Sequence, residues 1–363
     1  LRPPARLGAA ACCACLALAL GACGSSSSSK SQSRAIPPDF LGLISNEDFN
    51  ETGALQAKTL AAQRAAGVEL IRQDFDYATI EPRPGVFRWA HFDGYMAAMA
   101  RAGMHVLAIL NGADTVTEAP PRDMARFASF AAAVAARYGP GGSFWHSHPS
   151  LRAVPIRSWE IWNEPNFDGY WGGHPSAAGY GAMLRAVAPA IRAVDPQAEI
   201  VTAGIANASV GGINVVTYLD ELLALRPRLP FNTLAIHAYS TSSAGVIEGV
   251  ELVRQILDKA GLESTPIWLT EFGWASGGPA SPFTVGAKGQ AVDIKKAIVG
   301  LAGRRASLGV RGIVYYDWRD LPIYPGGGAN PWGFHTGLLT ITGAAKPALA
   351  AYREAADVAR SLH

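Results

Sequence analysis

Cysteine is the first thing this chain is short of. All four, Cys12, Cys13, Cys15 and Cys23, lie in its first 23 residues. From Gly24 onward there is no thiol to close a disulfide, to ligate a metal as thiolate or to act as a nucleophile. Charge is sparse as well. Only 17% of the residues are Asp, Glu, Lys or Arg, and the formal net charge is +2. That gives no electrostatic case for a nucleic-acid partner. The apolar run Leu7–Ala22 holds sixteen residues, short of the roughly 20 that span a bilayer. A glycine-rich phosphate loop is missing too. Gly326–Gly328 lacks the lysine and the following helix that such a loop requires. What the chain does have is 363 residues, 49% of them apolar. It can bury a substantial core, as one large domain or two small ones.

The N-terminal segment is set apart from the fold. Arg2 and Arg6 precede the apolar run, and the run ends in "LGAC", Leu20 to Cys23. This resembles a bacterial lipobox. The expectation is a signal peptide over 1–23, with Cys23 lipidated and holding an exported protein to a membrane. An ordinary signal peptide cut near the same place is the alternative. Residues 24–35, opening "GSSSSSKSQS", read as a Ser-rich flexible tether. Removing the two N-terminal arginines leaves 29 basic residues against 29 acidic ones, so the remaining chain is neutral.

Beyond about Ile36, strand-like and helix-like patterns alternate. Eight short apolar segments read as strands: 39–44, 68–74, 104–110, 157–164, 199–205, 231–239, 266–273 and 312–318. Continuous apolar strands suggest parallel pairing, buried on both faces. Between them lie Ala-rich amphipathic segments such as 123–138, 177–194 and 288–308. Glycine stops at "AAGV" (65–68) and "RAGM" (101–104) suit left-handed helix ends. Eight strands and eight helices predict an α/β fold, a single-domain (β/α)8 TIM barrel over 36–363. A doubly wound open sheet is the alternative, with fewer strands and a phosphate loop expected.

In such a barrel, chemistry gathers where strands end. Glu164, in "SWEIWNEPN", falls there on the fourth predicted strand. Glu271, in "WLTEFGW", falls there on the seventh, 107 residues on. Two carboxyl groups across one cleft suit glycoside hydrolysis, one protonating the leaving oxygen and the other attacking the anomeric carbon. Asn163 is placed to donate to a sugar hydroxyl. Trp159, Trp162, Trp171, Trp274, Trp318 and Trp332 crowd these segments, and aromatic faces stack on sugar rings. Glu160 shares the period-two face of Trp162 and Glu164 but lies deeper. It reads as structural and needs a buried partner, with Arg72 a candidate. His146 and His148, in "WHSHP", have a metal-like spacing without a visible third ligand, so no metal and no cofactor are expected.

"WNEPN", "TEFGW" and "YYDW" on strands four, seven and eight resemble the clan A, or 4/7, superfamily of glycoside hydrolases. So do "PGVFRWAHFDGYMAAMARAGMHVLAIL" (84–110) and "FHTGLLTITGAAKPALAAY" (334–352). Families 39 and 5 are the nearest in pattern. The resemblance implies that Glu164 is the acid/base, Glu271 the nucleophile and Arg72 the arginine beside it. It implies that Tyr239 bonds the nucleophile, that His237 orders the site, and that Trp318 is the platform under the sugar. Asn111, ending strand three, is a further candidate for substrate contact, as are Asn163 and Trp274. The implied activity is retaining hydrolysis of a β-linked oligo- or polysaccharide by a monomer. A surface barrel that binds polysaccharide without cleaving it, and a transglycosylase, remain open at this point.

Overall fold

The structure, a computed structural model, describes residues 36–112, 119–207, 211–322 and 331–362. Cys23, the tether and Gly326–Gly328 lie outside the described residues. Nine short strands form one parallel sheet: β1 (Leu41–Ile44), β2 (Leu70–Asp76), β3 (His105–Asn111), β4 (Ser158–Ile161), β5 (Glu199–Thr202), β6 (Ile205–Ala206), β7 (Leu234–His237), β8 (Ile267–Glu271) and β9 (Val310–Tyr315). Their order is β5-β4-β3-β2-β1-β9-β8-β7-β6. The two end strands of that order are consecutive in the chain. A parallel bridge from Val201 to Thr233 joins the two edges, and the Thr202 amide donates to the Thr233 carbonyl at 3.0 Å. The sheet is therefore a closed (β/α)8 TIM barrel, in which β5 and β6 share one stave. The predicted fifth strand, 199–205, is interrupted at Ala203–Gly204. The reason is local. The Gly204 amide turns inward to donate to Glu160 Oε1 at 3.0 Å instead of joining the sheet ladder.

Helices Gly53–Ala65, Ala90–Ala102, Met124–Tyr138, Ala177–Val194, Val215–Ala224, Ser243–Lys259, Gly286–Gly303 and Pro347–Ser361 cover the outside. Side chains of Asp123, Ser176, Asn214 and Ser242 cap four of them by accepting from backbone amides. Gly103 ends its helix at φ 63°, a left-handed conformation that glycine enters without a Cβ clash. The predicted helix 288–308 divides at Arg304 into Gly286–Gly303 and the short turn Arg305–Leu308.

Apolar side chains fill two spaces. The larger core lies between strands and helices. A smaller one sits inside the barrel, built from Leu70, Leu107, Val201, Ala235, Trp268 and Val314 of six different strands. On β2 the residue two beyond Leu70 is Arg72, so the interior changes from apolar to charged within one step of the pleat. That step is the floor of the site.

Candidate active site

Arg72 is 2% exposed and is held from three sides. Its Nε and Nη2 donate to the two oxygens of the fully buried Glu160, at 2.7 and 2.9 Å. Nη1 donates to Glu271 Oε1 at 2.7 Å, and Nη2 also reaches Asn163 Oδ1 at 2.9 Å. A guanidinium is suited to this because its donors form a rigid planar fork. Glu160 thus has the buried partner its position demanded. By accepting through Oδ1, Asn163 leaves its amide NH2 for the cleft that it helps to line.

The predicted strand through Glu164 ends earlier, at Ile161. Trp162 and Glu164 adopt positive φ, 71° and 43°. Side chains other than glycine enter this region at a cost of about 1–2 kcal/mol each. The surroundings hold them there. The Trp162 amide donates to Leu110 O at 2.9 Å and its indole N–H to Tyr170 O at 2.8 Å. Beyond Pro165, the fully buried Asn166 donates to the carbonyls of Ala206 and Ile213, both at 2.8 Å. The period-two reading of Glu160, Trp162 and Glu164 on one face therefore stops at the strand end. Glu164 is aimed by a twisted loop that is pinned on both sides.

Glu271 is aimed by an irregularity. Ile236 pairs with Leu269, but His237 pairs with Glu271, so Thr270 is an extra residue in β8. Strict alternation from the inward Trp268 would turn Thr270 inward and Glu271 outward. The bulge reverses this, as bulges do where a strand must re-aim a side chain. Glu271 Oε2 then accepts from the Tyr239 hydroxyl at 2.9 Å and lies 3.6 Å from His237 Nδ1. Burial pushes the Glu271 carboxyl up. The charges of His237 and Arg72, with the Tyr239 and Arg72 hydrogen bonds, outweigh it and hold the pKa below the ordinary value.

His237 links the two glutamates. Its Nδ1 is 2.6 Å from Glu164 Oε1. Its Nε2 is buried without a hydrogen-bond partner among the described residues. Ligand atoms of Glu164, His237 and Glu271 all lie within 4.8 Å of one another. Such a trio has the residue types of a metal site. However, both Glu271 oxygens already accept from Arg72 and Tyr239, and a guanidinium at 2.7 Å opposes a second cation. His146 and His148 turn Nδ1 toward carbonyls of their own short segment, Gly142 O and Phe144 O, at 3.0 and 2.9 Å.

A cleft of about 460 Å³ opens above this floor. Asn111 lines it and donates to Asp74 Oδ1 at 2.7 Å. Two of the predicted sugar contacts are elsewhere. Trp274 is fully buried, with its indole N–H on Ser240 O at 2.8 Å and its ring edge-on to Phe272. Trp318 is 2% exposed, and its amide ties back to Ile44 O at 3.0 Å, which tucks the ring into the core. Tyr316, two residues earlier, lines the cleft instead. An aromatic at a strand end is legible in sequence. Which of two neighbouring aromatics faces the cleft depends on how the chain leaves the strand. Trp332, half-buried, packs edge-on to Tyr239 and stacks on Phe283. Asp74 and Asp76 were also missed. Their signal was present, because both alternate with Arg72 along β2. Depth in the barrel mouth pushes the Asp74 carboxyl up, to about 6, although Arg72 and Asn111 pull it down.

Residues 159–294 match the family model described as glycosyl hydrolase catalytic core. No curated protein matches the chain in sequence. Among solved structures, the chain is similar to a family 39 glycoside hydrolase from the gut symbiont Bacteroides cellulosilyticus WH2, with a TM-score of 0.64 and 19% identity. That match covers 90% of this chain and 64% of the other, so the chain spans less than two thirds of that protein's length. A monomeric beta-xylosidase from Caulobacter crescentus CB15 gives a TM-score of 0.64 at 19% identity, over 88% of this chain and 69% of that one. A glycoside hydrolase of family 5, subfamily 18, from Streptomyces cattleya, solved with GlcNAc, gives 0.65 at 17% identity, over 91% and 82%.

Proposed function

We propose that the chain, whose residues 159–294 match the glycosyl hydrolase catalytic core model, is a retaining glycosidase acting on a β-linked oligo- or polysaccharide. The observation that carries this reading is the division of labour around His237. Glu271 faces a guanidinium and a phenol and is held ionised. Glu164 faces only the imidazole among its hydrogen bonds described here. Their nearest approach, within 4.8 Å, supports direct attack by a carboxylate. Inversion needs a wider gap, because a water must fit between the carboxyl groups.

In the first step a Glu271 oxygen attacks the anomeric carbon while the bond from that carbon to the leaving oxygen breaks. Glu164 gives its proton to the leaving oxygen. In the second step Glu164 takes a proton from water as the water oxygen displaces Glu271 from the sugar. Tyr239 and Arg72 hold the nucleophile in place through both steps. The family 39 likeness makes xylo- or gluco-configured glycans the first substrates to try. The protein acts as a monomer. The lipobox-like segment makes it an exported, lipid-anchored one.

Glu271→Ala is expected to lower kcat by on the order of a thousandfold or more, with azide restoring turnover as a glycosyl azide of inverted configuration. Normal turnover in that variant would remove the nucleophile. Glu164→Ala should cripple substrates with poor leaving groups and spare activated aryl glycosides. Product analysis on the same substrates separates hydrolysis from glycosyl transfer. Binding without release across a panel of β-glucan, mannan and xylan would favour a non-catalytic barrel.

A further inference from the structure

The charge lining the cleft is one-sided, and this bears on which sugars can enter. On β2 the interior face presents Arg72 at the floor, then Asp74, then Asp76 toward the rim. Arg72 is the only Lys, Arg or His among the described residues that line the cleft. All three of its nitrogens are committed, to Glu160, Glu271 and Asn163. It has been spent on the nucleophile and is not offered to a ligand. The segments 113–118, 208–210 and 323–330 contain no Lys, Arg or His in sequence. Asp76 Oδ1 is occupied in capping the short helix Tyr77–Ile80, where it accepts from Thr79 N at 2.8 Å. Asp74 is different. It is exposed to the cleft, and the Asn111 amide fixes it through Oδ1 at 2.7 Å.

We propose that Asp74, oriented by Asn111, is a specificity-determining residue that accepts hydroxyl hydrogens of a neutral sugar and turns away sugars carrying a carboxylate. This rests on the glycosidase reading above and names the class of its substrate. An oriented carboxylate is an acceptor for two neighbouring hydroxyls. The same carboxylate, with no uncommitted cation lining the cleft among the described residues, sets a like charge against a uronate. Rejection of this kind acts by repulsion as well as by the absence of a partner. Neutral β-glycans are therefore the substrates, and uronate-rich ones are not.

The test uses the full chain and mechanism-based epoxides of the cyclophellitol type. These are supplied as pairs matched in gluco, manno and galacto configuration, one member neutral and the other carrying a carboxylate at C6. Labelling of Glu271 is followed by intact mass and peptide mapping. The neutral member of one pair is expected to label at least about a hundredfold faster than its carboxylate partner. Asp74→Asn, which keeps the Asn111 hydrogen bond, should narrow that ratio by about tenfold or more, and its melting temperature reports that the fold is intact. Equal labelling by a carboxylate member overturns the proposal. So does a ratio that Asp74→Asn leaves unchanged. No labelling of Glu271 by any member overturns the specificity claim alone when glycan turnover is still lost in Glu271→Ala, whereas turnover that survives Glu271→Ala refutes the nucleophile assignment.

Discussion

At the scale of single residues, two buried carboxylates show how partners decide the role of an acid. Glu160 is fully buried and gives both oxygens to Arg72 in a bidentate pair. Removing one member of such a pair leaves an uncompensated charge in the interior. Glu160→Gln should therefore cost about 3 kcal/mol or more, read from urea denaturation, and should lower activity by loosening Arg72 from Glu271. Unchanged stability would mean that Glu160 is not what steadies the guanidinium. Asp48 is the opposite case. It is fully buried, Gln63 donates to Oδ1 at 3.0 Å, and Oδ2 has no hydrogen-bond partner among the described residues. Burial pushes its carboxyl up to about 7. A folded-state value above the unfolded one means that the folded protein holds the proton more tightly. Stability from this group is full near pH 4 and is lost as pH rises through 7. Asp48→Asn should accordingly stabilise the protein at pH 8 and give little at pH 4, measured as denaturation midpoints at both. The Arg72–Glu160 pair was legible in sequence, because alternation put Glu160 inside and a buried acid needs a cation. Asp48 was not, because nothing in "SNEDFN" says which of its acids faces the core.

At the scale of elements, the barrel was readable and its departures were not. The eight staves and the flanking helices follow from apolar runs, amphipathic spacing and glycine stops. Three local breaks position the chemistry: the loop at Trp162–Glu164, the extra residue Thr270 in β8, and the gap at Ala203–Gly204 between β5 and β6. Each violates the alternation by which strands are recognised, so a periodic reading passes over it. The same blind spot put Trp274 and Trp318 in the cleft. The Gly204 gap makes a sharp prediction. A Cβ on Gly204 would fall on the His237 ring, while Gly204 itself is not among the residues that line the cleft. Gly204→Ala should leave a folded barrel by circular dichroism but displace His237 from Glu164. Because a misplacement of about 1 Å can cost a hundredfold, the expected loss is in kcat more than in KM. A variant with full kcat would show that His237 is not needed where it stands.

At the scale of the whole molecule, the proposed function divides the sequence into a lipobox-like segment, which would set location, and a barrel, which would carry the chemistry. All of its cysteine is in the first. Cys23→Ser should move the protein from the membrane to the soluble fraction of a bacterial host and abolish acyl labelling, without altering kcat. Persistent labelling would place the acyl group elsewhere. The internal saturation of Arg72 has a consequence for the medium in which the barrel works. Long-range steering by charge is what dissolved ions screen, over about 10 Å at 0.1 M salt. Among the described residues, this cleft ties its one guanidinium to the buried Glu160 and the partly buried Glu271 and Asn163, and the polymer we propose for it is uncharged. Its kcat/KM on a neutral glycan should stay nearly flat from roughly 0.05 to 0.5 M salt, so that brackish and fresh water would be the same to it.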